Sequence, residues 1–239
     1  LFAAHMATCD PGDTALMIDP YYATYPGTIR AASARPHAVP TEAAASFLPD
    51  PARIARAALE TGARTLLINS PNNPSGAVYS SEQLETLAQL LRRKQEEYDS
   101  EIFLLSDEPY RRLIYDDLIY PQVFPHYEST IVVNSHAKDL GLPGERIGYI
   151  AVHPAYPQRE ELVDGLIFCT RTLGFVNAPA LMQHVIRSLQ GVSVDVADYQ
   201  RKRDYLCAQL TELGYSVVKP QGAFYLFPQS PLADDGAFV

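Results

Sequence analysis

Five short apolar runs of β type recur along the chain, at 15–19, 65–69, 102–106, 130–134 and 146–152, and helix-forming sequence fills the gaps between them. Between the second and third, Leu84, Leu87, Ala88 and Leu91 fall at i, i+3, i+4 and i+7, which is one apolar face of a helix. Ser80 and Gln83 are spaced as a capping box at its start. Strands alternating with helices predict an α/β fold with a mostly parallel central sheet flanked by helices and joined by right-handed crossovers. The character changes near Asp198: a charged helix over 199–213 leads through Gly214 to two short strands at 216–219 and 224–227. The pattern therefore predicts a large domain over 1–197 and the start of a smaller α+β domain over 198–239.

In an open sheet of this kind ligands bind beyond the carboxyl ends of the strands, so the residues just past each run carry the functional reading. Lys138, in Ser135-His136-Ala137-Lys138, follows the run at 130–134. A lysine partly desolvated there can lose its proton and attack a carbonyl to form a Schiff base. Arg146, opening the run at 146–152, can grip a phosphate with two parallel N–H bonds. Asn73 lies in Asn69-Ser70-Pro71-Asn72-Asn73-Pro74-Ser75-Gly76, a composition that a plain turn also explains. Asp107 ends a fully apolar strand in Ser106-Asp107-Glu108-Pro109-Tyr110, where burial is costly unless a cation meets it. A protonated pyridine nitrogen is such a cation, though a helix cap or loop acid accounts for an isolated aspartate equally well. The Arg92-Arg93-Lys94 run reads as a solvated helix face.

Taken in series, Asn-Asn-Pro-Ser-Gly (72–76), Asp-Glu-Pro-Tyr (107–110) and Ser-His-Ala-Lys…Gly-Glu-Arg-Ile-Gly (135–148) resemble the class I/II aminotransferases, pyridoxal phosphate-dependent enzymes of fold type I. Asp10-Pro11-Gly12-Asp13…Pro20-Tyr21-Tyr22 and Gln221-Gly222-Ala223-Phe224-Tyr225 agree at the two ends. Ser75 stands where the family usually has threonine and keeps the hydroxyl.

The resemblance implies a large domain like that of aspartate aminotransferase and pyridoxal 5'-phosphate as cofactor. Lys138 holds the cofactor as a Schiff base and then acts as general base and acid. Asp107 faces the pyridine nitrogen, Tyr110 and Asn73 hydrogen-bond the phenolic oxygen, Ser135 and Arg146 bind the phosphate, and Tyr22 lies against the ring face. Arg171 falls where the family approaches a neighbouring subunit, although a surface or interface arginine reads equally well. His136 is expected to pack rather than to act as a base. The family's Gly/Ser/Thr-rich phosphate turn would precede Leu1, and its arginine for the substrate carboxylate would follow Phe227. The chain is therefore expected to lack the family's N-terminal and C-terminal portions.

The implied reaction is amino transfer between an amino acid, aspartate or alanine, and a 2-oxo acid such as 2-oxoglutarate, in a homodimer. Two alternatives share these residues: a C–S or β-elimination lyase on the same scaffold, and an aminotransferase-like sensor domain of a transcription regulator. Composition narrows the partners. A formal charge of −9 argues against nucleic acid, which wants a basic face. No apolar run approaches the roughly 18 residues of a membrane span. Three scattered cysteines, Cys9, Cys169 and Cys207, lack disulfide or metal spacing and suit a reducing cytoplasm.

Overall fold

A computed structural model describes residues 1–238. Its centre is a six-stranded sheet made of β1 (Thr14–Asp19), β2 (Arg35–Pro40), β3 (Ala63–Asn69), β4 (Phe103–Asp107), β5 (Thr130–Ser135) and β6 (Gly148–Val152). Their order across the sheet is β2-β1-β3-β4-β5-β6. The first five run parallel, and β6 pairs antiparallel with β5.

The inner strands β1, β3, β4 and β5 are largely apolar because both faces of the sheet are covered there. Side chains alternate between faces along each strand. Leu16, Ile18, Leu66, Ile68 and Leu104 therefore join one core with Ile54 of α3 (Pro51–Thr61) and Leu84, Leu87 and Leu91 of α4 (Ser81–Tyr98). Ala15, Met17, Leu67, Phe103, Leu105 and Ile131 point the other way. There they meet Ala4 of α1 (Phe2–Thr8), Ile29 of α2 (Tyr25–Ala31) and Leu162 and Leu166 of α6 (Arg159–Thr172). Each fully buried leucine or isoleucine contributes about 1.5–3 kcal/mol.

Local signals set the helix ends. The Ser80 hydroxyl accepts from the Gln83 amide (3.2 Å) while Gln83 Oε1 accepts from the Ser80 amide (2.7 Å), which closes the expected capping box on α4. Asp50 accepts from the Ala52 amide to start α3, and Gly62, in the left-handed region at φ 59°, ends it.

Four elements depart from the sequence reading. Strand β2 was not anticipated, because Pro36 and Pro40 argue against a strand; it is an edge strand, where a missing N–H is tolerated. Residues 136–139 form a short helix, α5 (His136–Asp139), rather than continuing the extended chain, because the Ser135 hydroxyl caps it by accepting from the Ala137 amide (3.1 Å). Arg146 does not open β6: it sits two residues earlier at φ 50°, a left-handed conformation that costs a residue with a side chain roughly 1–2 kcal/mol. Past α7 (Ala180–Ser188) and α8 (Val196–Glu212), the two strands expected at 216–219 and 224–227 are absent as ladders. Only isolated bridges form there, Ile114 with Gly222 and Val217 with Pro228. Paired to no continuous neighbour, that segment follows the surface of the sheet-bearing body instead.

Candidate active site

Because β1, β3, β4 and β5 are adjacent and parallel, the segments that follow them emerge at one edge of the sheet. The order reverses between β1 and β3, a switch point of the type at which open α/β sheets bind ligands. Tyr22 follows β1, Asn73 follows β3, Asp107 ends β4, and Ser135 and Lys138 lie at and just past the end of β5. Residues 116 positions apart in sequence are thus delivered to one edge by strand order alone.

Asp107 is partly buried, and burial pushes its carboxyl above the usual carboxylate range. Tyr25 opposes that shift: its hydroxyl donates to Asp107 Oδ2 at 2.6 Å. The Tyr25 phenol is itself buried and held well above its ordinary value, so it remains a donor. Asn69, paired in register with Asp107, donates through Nδ2 to the Asp107 carbonyl (2.8 Å). Its Oδ1 accepts from the Asn73 backbone amide (2.7 Å), which fixes Asn73 relative to the end of β4.

Tyr110 is buried, and its hydroxyl lies 2.7 Å from that of Tyr225. Burial raises its phenol and Asn73 lowers it, and either of the two tyrosine hydroxyls can be the donor in their bond. Lys138 Nζ lies 5.3 Å from the centroid of the Phe224 ring. Phe224 in turn meets Tyr110 edge-on, with ring centroids 5.4 Å apart. Tyr22 is exposed and edge-on to Tyr25, 5.6 Å between centroids.

Arg146 stands apart from this cluster. Its guanidinium donates to the Pro143 carbonyl (2.8 Å), and it lines a cleft of about 530 Å³ with Asn134, Tyr149, Arg171, Asn177 and Leu1. Arg171 therefore shares a cavity with Arg146. His136 is buried, with Nδ1 3.5 Å from Asp139 and its ring against Tyr149, as expected for a packing residue. Glu108, between the two candidate residues of its motif, turns inward and accepts from the Ser106 hydroxyl (2.9 Å).

The sequence reading did not single out Tyr25, and it quoted Asn69, Phe224 and Tyr225 within motifs without giving them a role. Tyr25 carried one faint signal, a tyrosine opening a helix with proline at the next position. Asn69 offered another, an amide ending a buried strand. The pairing of Tyr110 with Tyr225 carried none, since 115 residues separate them.

The donor set suits a flat anionic cofactor. A carboxylate with one oxygen engaged by Tyr25 can face a cationic ring nitrogen, two hydroxyl or amide groups can meet a ring oxygen, and a lysine stands beside an aromatic wall. Fold and site together define an α/β protein that gathers these groups at the carboxyl edge of its sheet. The chain belongs to the class I and II aminotransferase family, whose model matches residues 1–238. It is 34% identical over 244 residues to the aspartate/prephenate aminotransferase of Thermus thermophilus, covering 98% of this chain and 60% of that protein. Among solved structures, an aminotransferase of Eubacterium rectale superposes with a TM-score of 0.94 at 39% identity, covering 99% of this chain and 59% of that one. An aspartate aminotransferase of Thermotoga maritima gives 0.84 at 25% identity, covering 99% and 60%. The chain thus spans about 60% of the length of these relatives.

Proposed function

We propose that the protein is a pyridoxal phosphate-dependent aminotransferase, moving an amino group between an amino acid and a 2-oxo acid, with aspartate and 2-oxoglutarate as the leading pair. The observation that carries this reading is the convergence of Asn73, Asp107, Tyr110 and Lys138 on one sheet edge. The names of relatives, aspartate aminotransferases among them, support the substrate choice.

When bound, the cofactor supplies an electron sink for charge developing at the substrate Cα. Lys138 would hold the cofactor and would hold or return a proton at Nζ. Asp107, through the oxygen that Tyr25 leaves open, keeps a ring nitrogen protonated by a charge-assisted hydrogen bond. Tyr110 and Asn73 donate to the ring oxygen, Tyr22 covers one ring face, and Ser135 and Arg146 take the phosphate.

The exposed apolar residues Phe168 and Phe175 and Leu181 of α7 (69%, 63% and 74% exposed) support pairing of two copies through this side. No helix among the described residues is long and apolar enough to cross a membrane, and all three cysteines are free, which favours a cytoplasmic setting. A division near residue 197, with 198–239 opening a smaller domain, belongs to the same reading.

The test is twofold. Borohydride reduction after incubation with pyridoxal phosphate, followed by peptide mass mapping, should place the modification on Lys138. Aspartate with 2-oxoglutarate should yield oxaloacetate and glutamate in a coupled assay. Labelling scattered over surface lysines would reject the cofactor site. Free ammonia and pyruvate from a β-substituted amino acid, without glutamate formation, would move the protein to the eliminating lyases.

A further inference from the structure

The segment that carries Tyr225 is bound to the site by a dense set of contacts. The Gln221 and Gly222 amides both donate to the Gly76 carbonyl at 3.0 Å, and the Ala223 amide donates to the Leu113 carbonyl at 2.8 Å. The Tyr115 hydroxyl donates to the Ala223 carbonyl, and buried Arg203 of α8 donates to the Pro220 carbonyl (3.0 Å). Gly76, at φ 71°, lies so close to Pro220 that a Cβ there would collide with the proline ring. A Cβ on Gly222 would stand 2.7 Å from Pro71 Cγ and 2.8 Å from the Leu113 carbonyl oxygen. Residues 220–225 are therefore pressed against the two loops that present Asn73 and Tyr110.

The consequence falls on one atom. The Tyr110 hydroxyl has a single proton to donate. Tyr225 stands 2.7 Å away, and both Asn73 and the Asp107 charge act on the same hydroxyl. We infer that Tyr225 is a positioning residue: its hydroxyl donates to Tyr110, so that the Tyr110 proton is directed at the ring oxygen of the bound cofactor. This rests on the function proposed above. A hydroxyl that accepts one hydrogen bond becomes a stronger donor of its own. Tyr225 thereby strengthens the bond from Tyr110 to the ring oxygen and favours the ionised form of that oxygen. It also couples the conformation of segment 220–225 to the electronics of the site.

The experiment uses the full-length protein reconstituted with pyridoxal phosphate, and reads the pH at which the absorbance of the bound cofactor changes. With the bond from Tyr110 weakened, the ring oxygen is more basic and keeps a shared proton to higher pH. Tyr225→Phe should therefore raise the midpoint by a few tenths to about one unit, the size of one ordinary hydrogen bond. Tyr110→Phe should raise it further, and the double variant no further than Tyr110→Phe alone. A midpoint unchanged in Tyr225→Phe, or shifts that add in the double variant, would overturn the inference. A second cycle, on denaturant midpoints of the same four proteins without cofactor, separates this from the function itself. Coupling between the two tyrosines is expected there whether or not cofactor binds, and its absence overturns the positioning role. Coupling present in a protein that never takes up cofactor would instead reject the aminotransferase reading and, with it, the role assigned to that coupling.

Discussion

The two halves of the candidate site differ in how their side chains are held. In the half that would face the cofactor ring, Asp107 is tied to Tyr25, Asn73 to Asn69 and Tyr110 to Tyr225, by bonds spanning 82, 4 and 115 positions. In the half that would face the phosphate, the bonds are local. Ser135 caps its own helix, and Arg146 donates to a carbonyl three residues away. The first half is set by the protein before any ligand arrives, which spares the ordering cost at binding. In the second, Ser135 and Arg146 are held only by these local bonds and would take further partners from a ligand.

Substitutions can separate the halves, beginning with the largest effect. Lys138→Ala should abolish borohydride-trapped labelling altogether while leaving the denaturant midpoint of the cofactor-free protein nearly unchanged, since Nζ stands over the exposed Phe224 ring, 5.3 Å from its centroid. A collapse in stability instead would place the lysine in the interlocked half.

Asp107→Asn should weaken cofactor affinity by roughly 10–100-fold, the worth of a charge-assisted hydrogen bond, as read by titration. Its effect on stability should run the other way. Burial raises the Asp107 carboxyl, so ionisation costs folding energy once pH exceeds the ordinary carboxylate value, and fully so above the raised one. The cofactor-free Asp107→Asn protein should thus be at least as stable as the parent at neutral pH, and the advantage should fade in acid. Loss of stability at pH 7 would show that the ring-side half needs the charge for its own integrity.

Arg203→Leu tests what seats segment 220–225. Arg203 pairs with both oxygens of Asp116 (2.8 and 2.7 Å) and with Asp204 (2.8 Å). Its removal should lower stability by about 1–3 kcal/mol, the usual range for lost bonds to a charged group. Asp116 is held below its ordinary carboxyl value chiefly by Arg203, and Asp204 chiefly by Lys219 with Arg203 next. A depressed carboxyl stabilises above its ordinary value of 3.8 and loses that contribution as pH falls through the lowered one. The difference between Arg203→Leu and the parent should therefore be full at neutral pH and shrink below about pH 4. Equal differences at both pH values would assign the effect to packing of Arg203 on Tyr115, 4.5 Å from the ring centroid.

Smallest is Arg146→Met, which should raise the cofactor dissociation constant about tenfold, near 1.4 kcal/mol, and leave the denaturant midpoint within about 0.5 kcal/mol because the side chain is exposed. A larger change in stability than in affinity would erase the contrast between the halves.

The parts of this molecule legible in its sequence are those decided over short distances. Apolar runs ending in polar residues marked β1, β3, β4 and β5, because a strand covered on both faces must be apolar throughout. The i, i+3, i+4 spacing and the Ser80–Gln83 box marked α4 for equally local reasons. Asn73, Asp107 and Lys138 were readable because each sits beside such a run, and strand order then gathers them.

What only the tertiary structure decided depends on partners that sequence does not place side by side. The edge position of β2 let two prolines stand in a strand, and the lack of a continuous neighbour left 216–227 without ladders. The Tyr25–Asp107 and Tyr110–Tyr225 bonds required two surfaces to meet across the fold, since hydroxyl groups in a buried site take their partner from whatever the packing brings within about 3 Å. Sequence determined which groups this chain offers to a cofactor; packing determined which of them are held in place before it arrives.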